Sequence, residues 1–257
     1  MTTVLKLGGS VVTEKDNPEQ VDEVSLARTT DAVAGSEVER LVVVHGGGSF
    51  GHYHAATHGV TTTQGTHDSG AVADVHGAMK TLNRRVVDAL LARDVPAVPV
   101  HPLSLGARDA EGDLTLPAGS VRTLLDEGFV PVLHGDLVAH RGKGTTVVSG
   151  DELVTSLAGS LDAERVGMCS TVPGVLDAEG EVIPHIGAFE DAAAALGGSD
   201  ATDVTGGMAA KVRSLLSLGA PAFVFGPDGL GAFLAGEEAG TRIDGAGTDE
   251  DESADGE

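Results

Sequence analysis

Short apolar runs, each ending in a glycine-rich or polar turn, alternate along the chain with longer stretches of helical spacing. The runs at 4–7, 40–44, 95–100, 129–133, 145–148, 165–169 and 222–225 predict strands. Val72, Val75, Met79, Leu82, Val86 and Leu90 recur at spacings of three and four and predict a long amphipathic helix over 71–91. Shorter helices are expected at 25–34, with Ser25 as N-cap and Gly35 as stop, and at 120–127, 151–161, 188–196 and 207–218. Residues 14–23 and 53–70 lack usable periodicity and read as loops, and 101–117 reads as a loop or hairpin excursion. Strands alternating with helices argue for the α/β class: a three-layer αβα sandwich around a mainly parallel sheet, with ligand loops at the carboxyl ends of the strands. The length of 257 residues suits one domain with two lobes.

Charge changes what such a fold can bind. The formal net charge of -23 leaves no basic surface for nucleic acid or an anionic membrane. No stretch approaches the roughly 18 apolar residues of a membrane span. An aromatic content of 3% without Trp also removes a stacking platform for single strands. The carboxylate excess resembles that of proteins from salt-rich cytoplasm. Half of the residues from Asp244 onward are acidic, so 246–257 is expected to be a disordered, solvating tail. The lone Cys169 rules out an intrachain disulfide framework, and a soluble, unprocessed, cytoplasmic protein is expected.

Against that background the lysines are informative. There are five, at 6, 15, 80, 143 and 211, and three of them sit in or beside glycine turns. Lys6-Leu7-Gly8-Gly9-Ser10 ends the first predicted strand, with Lys15 close behind. The second strand empties into His45-Gly46-Gly47-Gly48-Ser49-Phe50-Gly51-His52, and Thr205-Gly206-Gly207-Met208 precedes a helix carrying Lys211. Consecutive glycines let main-chain N–H groups converge on an anion, and a phosphate is the natural guest. Three such turns, two with a lysine, fit a site that holds several phosphates. His45, His54, His58 and His67 show no clear ligand spacing and read as structural or exposed.

These motifs, with Ser149-Gly150-Asp151-Glu152 and Asp203-Val204 ahead of Thr205, resemble the amino acid kinase superfamily, and within it the isopentenyl phosphate kinases. The resemblance spans roughly residues 3–226, and His52 is its distinguishing feature. Superfamily members that phosphorylate a carboxylate or a nucleoside monophosphate generally lack that histidine, whereas fosfomycin kinase is similar in having it. The resemblance implies ATP-dependent phosphorylation of isopentenyl phosphate in an archaeal-type mevalonate route, with Mg2+ accompanying ATP, by a homodimer. It also implies an N-terminal acceptor lobe of about 1–145 and a nucleotide lobe of about 146–245 in one domain, 1–245.

Position by position, the resemblance places Lys6 and the backbone of Gly8, Gly9 and Ser10 on the ATP phosphates and Lys15 at the transition state. Gly47 and Gly48 lie between acceptor phosphate and γ-phosphate. His52 hydrogen-bonds the acceptor phosphate, Gly150 approaches the acceptor, and Asp151 orients Lys6 and Lys211. Gly207, Lys211 and Thr171 fall on the nucleotide side. There the chain departs from the family's Asp-x-Asp-Gly turn, reading Thr171-Val172-Pro173-Gly174. The alternatives are a kinase for another small phosphate or phosphonate, such as fosfomycin, and a non-catalytic nucleotide-binding sensor. The face of the 71–91 helix is expected to be core, and its residues Val72, Met79, Leu82 and Val86 could also line an apolar tail pocket.

Overall fold

The computed structural model describes residues 1–190, 192 and 205–245. Most of the helix expected at 188–196, the loop after it, Asp203-Val204 and the acidic tail lie outside these residues. The central sheet has eight strands in the order β10 (His185–Ile186), β12 (Thr241–Ile243), β11 (Ala222–Phe225), β9 (Arg165–Cys169), β1 (Thr2–Leu7), β2 (Arg40–His45), β6 (Val130–His134) and β3 (Ala97–Pro99). Only β11 and β12 run antiparallel in it. Four further strands form a small sheet in the order β5 (Leu114–Thr115), β4 (Ala107–Arg108), β7 (Asp136–His140) and β8 (Gly144–Val148).

Alternation along the buried strands sends successive side chains to opposite faces, and this produces the layers. Val4, Val42, Val44 and Met168 pack against Leu153 and Leu157 of α6 (Gly150–Ser160) and Val212 of α7 (Thr205–Leu216). Leu5, Leu41, Val43 and Phe223 face the other way, against α2 (Glu23–Ala34), α4 (Ser69–Leu91) and α8 (Leu230–Leu234). The expected three-layer αβα sandwich is therefore present. The apolar stripe read in the sequence buries Met79, Leu82, Val86 and Leu90 of α4 at 1% exposure or less, each worth about 1.5–3 kcal/mol.

Five local readings need correction. The segment after the second strand is a helix, α3 (Gly48–Thr57), and Gly9–Val12 forms a short helix, α1. Residues 136–140 add strand β7, paired with β8, and β12 follows β11, which covers the final run predicted as a strand, 222–225. Asp22, whose carboxylate accepts from the Ser25 N–H at 2.9 Å, is the N-cap of α2, so Ser25 lies inside the first turn. The excursion at 101–117 does contain a small hairpin, β4 with β5, before α5 (Gly119–Asp126). Among the described residues no helix is long and apolar enough to cross a membrane.

Candidate active site

β1 and β2 are parallel neighbours with Leu7 opposite His45, so their glycine loops leave the sheet side by side. The loops touch backbone to backbone. A Cβ on Gly9 would stand 2.3 Å from the Gly48 nitrogen, and one on Gly46 would stand 2.6 Å from the Gly9 nitrogen. Real Cβ atoms essentially never come so near, which explains why glycines meet here. α1 and α3 start from these loops, and α6 starts at Gly150 beyond a reciprocal cap between Ser149 and Glu152. The amino-terminal ends of α1, α3 and α6 thus border the same space, where the helices leave first-turn N–H groups without partners inside the helix.

The cations are held by one carboxylate. Lys6 Nζ lies 2.7 Å from Asp151 Oδ1, and Lys211 Nζ lies 4.0 Å from Asp151 Oδ2. Burial would raise the Asp151 carboxyl, but the charges of Lys6 and Lys211 and the Lys6 hydrogen bond outweigh it and hold it below the usual value. Burial, reinforced by Lys6, lowers the Lys211 ammonium against the pull of Asp151. Both lysines are mostly covered, at 12% and 15% exposure, while Asp151 is 40% exposed. Two ammonium groups are therefore stored beside the glycine loops around an anion that an incoming phosphate can replace or supplement. A Cβ on Gly150 would stand 3.1 Å from Lys6 Cε, so this glycine gives the lysine its path.

A cavity of about 260 Å³ opens from these groups, with Lys6, Gly47, His52, Gly150 and Asp151 in its wall. A Cβ on Gly135 would lie 3.6 Å from the nitrogens of both Gly47 and Gly150, so two main-chain donors flank one point. The rest of the lining is mainly apolar, from Ala55, Val75, Met79, Val147 and Val148, with Asp136 among them. A second cavity, about 650 Å³, adjoins it through Ser149 and Asp151 and is lined by Gly207, Lys211 and Arg108. A larger one, about 750 Å³, lies by Thr3 and Arg165 at the amino ends of the strands, away from the lysines and glycine loops.

Asp136, in the lining of the first cavity, belongs to a mostly buried polar cluster. His45 Nδ1 donates to the Gly46 carbonyl at 3.0 Å, and its strand neighbour His134 donates from Nδ1 to the Gly135 carbonyl at 2.9 Å. Burial lowers His45, and lowers His134 to about 3, so both rings are neutral at pH 7. His134 Nε2 accepts from His101 Nδ1 at 2.9 Å, and the Asp136 carboxylate accepts from His76 Nδ1 at 2.9 Å. The bonds to Gly46 and Gly135 tie down the backbone of two glycines in the cavity's lining.

The amino acid kinase family model matches residues 1–220. An isopentenyl phosphate kinase of Haloferax volcanii is 68% identical over 94% of this chain and 98% of its own. The chain belongs to the isopentenyl phosphate kinases. Another of these, from Methanothermobacter thermautotrophicus, is 34% identical over 94% of this chain and 98% of its own. A crystal structure of an isopentenyl phosphate kinase superposes with a TM-score of 0.80 at 30% identity, covering 95% of this chain and all of that one.

Within this member of the isopentenyl phosphate kinases, Lys6, Gly9, Gly47, His52, Gly150 and Asp151 come together around the first cavity, and Gly207 and Lys211 around the second. Gly8 donates its N–H to the Cys169 carbonyl at 2.8 Å and so ties the first loop to β9. Gly48 adopts φ +49°, the left-handed region that favours glycine, where α3 begins. Ser10 is exposed on α1, Thr171 is exposed in the turn after β9, and Lys15 is exposed in the loop between Thr13 and Val21. None of these three is in the wall of either cavity. The tail face also needs correction: Val75 and Met79 reach the first cavity, whereas Leu82 and Val86 are sealed in the core and Val72 packs with Val60 and Leu137. His134 and Asp136 follow the run predicted as a strand over 129–133, which marks them in the sequence as residues near the ligand end of the sheet, and Asp136 does reach the first cavity. Its partner His76 carried no such signal.

Proposed function

We propose that the chain transfers the γ-phosphoryl group of ATP to isopentenyl phosphate, forming isopentenyl diphosphate and ADP in an archaeal-type mevalonate route. The observation that carries this reading is the lining of the 260 Å³ cavity, which joins Lys6, the glycine loops and His52 to the apolar side chains Ala55, Val75, Met79, Val147 and Val148. That is the complement of a phosphate bearing a small hydrocarbon tail. The isopentenyl phosphate kinases that the chain resembles support the same acceptor.

The residues present fit a nucleotide triphosphate at the junction of the two cavities. Lys6, Lys211 and the first turns of α1 and α7 would hold its phosphates, with Asp151 keeping both lysines aimed. At ~4 Å and an effective dielectric of ~20, each ammonium–phosphate pair is worth up to about 4 kcal/mol before desolvation. The chemistry asks the chain chiefly to neutralise charge and align two phosphates, since little covalent work falls to the protein. His52 and Gly47 hold the acceptor phosphate in this scheme, Gly48 lies between the two phosphates, and Lys15 swings in to meet the transferring group. The fit for a resident Mg2+ is poorer: among the described residues no group of three acidic, His or Cys side chains could hold a metal. Asp151, the carboxylate nearest the lysines, is already engaged by them. Mg2+ would then ride on the nucleotide and keep its waters, supplying further charge neutralisation there. The reading includes an acceptor lobe up to about 145, a nucleotide lobe beyond it, a cytoplasmic location and a homodimer.

A coupled assay of ADP release over isopentenyl phosphate, fosfomycin and N-acetylglutamate tests the proposal. Turnover should be efficient with isopentenyl phosphate alone. Preference for fosfomycin would transfer the assignment to a phosphonate kinase, and ATP binding without any turnover would favour the sensor.

A further inference from the structure

One hydroxyl serves both glycine loops. Thr13 follows α1 and is 2% exposed. Its Oγ1 donates to the Gly9 carbonyl at 3.0 Å and accepts from the Ser49 N–H at 3.0 Å. The first bond is the ordinary bond of a threonine to the carbonyl four residues back. The second crosses the sheet to another loop. Ser49 stands in the first turn of α3, where N–H groups have no partner within the helix, and the N-cap there is Gly47, which has no side chain to offer. Thr13 therefore caps α3 from a different segment.

The surroundings show how closely this contact is fitted. A Cβ on Gly48 would stand 2.2 Å from Thr13 Oγ1, so the glycine leaves the space that the hydroxyl fills. Thr13 also bridges Val21, closing the neck of the loop that carries Lys15. Other links between this loop and α3 include His54 to Glu19 at 3.1 Å and the Ser49 hydroxyl to the Gln20 carbonyl at 3.4 Å, both exposed, and the Glu19 N–H to the Ser49 carbonyl at 3.4 Å.

We infer that Thr13 is a positioning residue for phosphoryl transfer, its hydroxyl setting the separation between the loop at 8–10 and the loop at 47–49. The inference rests on the reading of those loops as the donor and acceptor sides of one reaction. Each loop retains its own phosphate contacts without Thr13, so each substrate should still bind. Their relative placement is what the hydroxyl controls. In-line transfer needs reacting atoms about 3–3.5 Å apart, and a misplacement of about 1 Å can cost roughly 100-fold in rate.

The test compares Thr13→Val, which keeps the shape and removes donor and acceptor together, with Thr13→Ser, which keeps the hydroxyl. With ATP and isopentenyl phosphate, Thr13→Val should lower kcat roughly 10- to 100-fold and leave both KM values near those of the parent. Thr13→Ser should recover most of the loss. In the substrate-free protein, hydrogen exchange at the Ser49 amide should accelerate in Thr13→Val and return toward the parent rate in Thr13→Ser. If the parent protein does not phosphorylate isopentenyl phosphate, the functional reading falls, and the Ser49 exchange alone decides whether Thr13 joins the loops. Unchanged exchange, parental kcat in Thr13→Val, or equal impairment of the two variants overturns the inference. Should Thr13→Val fail to fold, Thr13→Ala replaces it, and Thr13→Ala and Thr13→Ser performing alike overturns the inference.

Discussion

Gly51 shows how a single side chain can control the 260 Å³ cavity. It lies in α3 one residue before His52, and a Cβ there would stand 2.7 Å from Met79 Sδ, the flexible end of a side chain in the apolar wall. Gly51→Ala should therefore displace Met79 and change the tail end of the cavity, leaving the lysines in place. An ill-fitting methyl in an apolar pocket is worth about 1–3 kcal/mol, so KM for isopentenyl phosphate should rise about tenfold with ATP affinity unchanged. Steady-state kinetics in each substrate checks this, and equal changes in both constants would count against it. Residue by residue, the glycine motifs and their lysines were legible because few side chains suit such turns. Lys15 was not placed by geometry. Its role comes from resemblance, and in the structure it stands exposed in its loop.

The ends of β2 and β6 carry His45 and His134, register partners whose rings are neutral because burial opposes their charge. The sign of the pH effect follows. An unfolded histidine takes a proton near 6.5 and folded His134 only near 3, so the unfolded chain binds more protons between these values. The stability from keeping these rings neutral is complete above about pH 6.5 and is lost progressively as pH falls toward 3. Thermal midpoints measured from pH 7 to 5 should fall, and His134→Gln should flatten that slope. An equally steep slope in the variant would refute this. The elements hosting these rings were only partly readable. The strands announced themselves as apolar runs, but α3 did not, because its Gly- and His-rich sequence has no apolar stripe and its start is capped by Thr13. β12 spans only three residues, too few for a period to appear, and was found by its pairing with β11.

Across the whole molecule, 39 acidic residues against 16 Lys and Arg surround a site that must admit two phosphorylated substrates. The buried lysines provide attraction at contact, while the long-range field repels. Near 1 M salt the Debye length is only about 3 Å, which screens the surface field far more than the covered Lys6–Asp151–Lys211 group. Activity and thermal stability should both rise with KCl. Maxima of both in dilute buffer would contradict a salt-adapted surface. The three-layer fold was foreseeable from the alternation of apolar runs with helical stretches. The meeting of distant residues was not: Lys6, His52 and Asp151 share a cavity only because β1 and β2 are parallel neighbours with α6 packed against them.

The central claim is that His52 holds the acceptor phosphate and not the nucleotide, and His52→Ala tests it most directly. A charge-assisted hydrogen bond made in such a site is worth about 2–4 kcal/mol at the transition state. Turnover efficiency with isopentenyl phosphate should fall roughly 30- to 1000-fold, while calorimetry finds ATP binding unchanged. Normal turnover by His52→Ala, or loss of ATP binding in proportion to the loss of rate, would contradict the account.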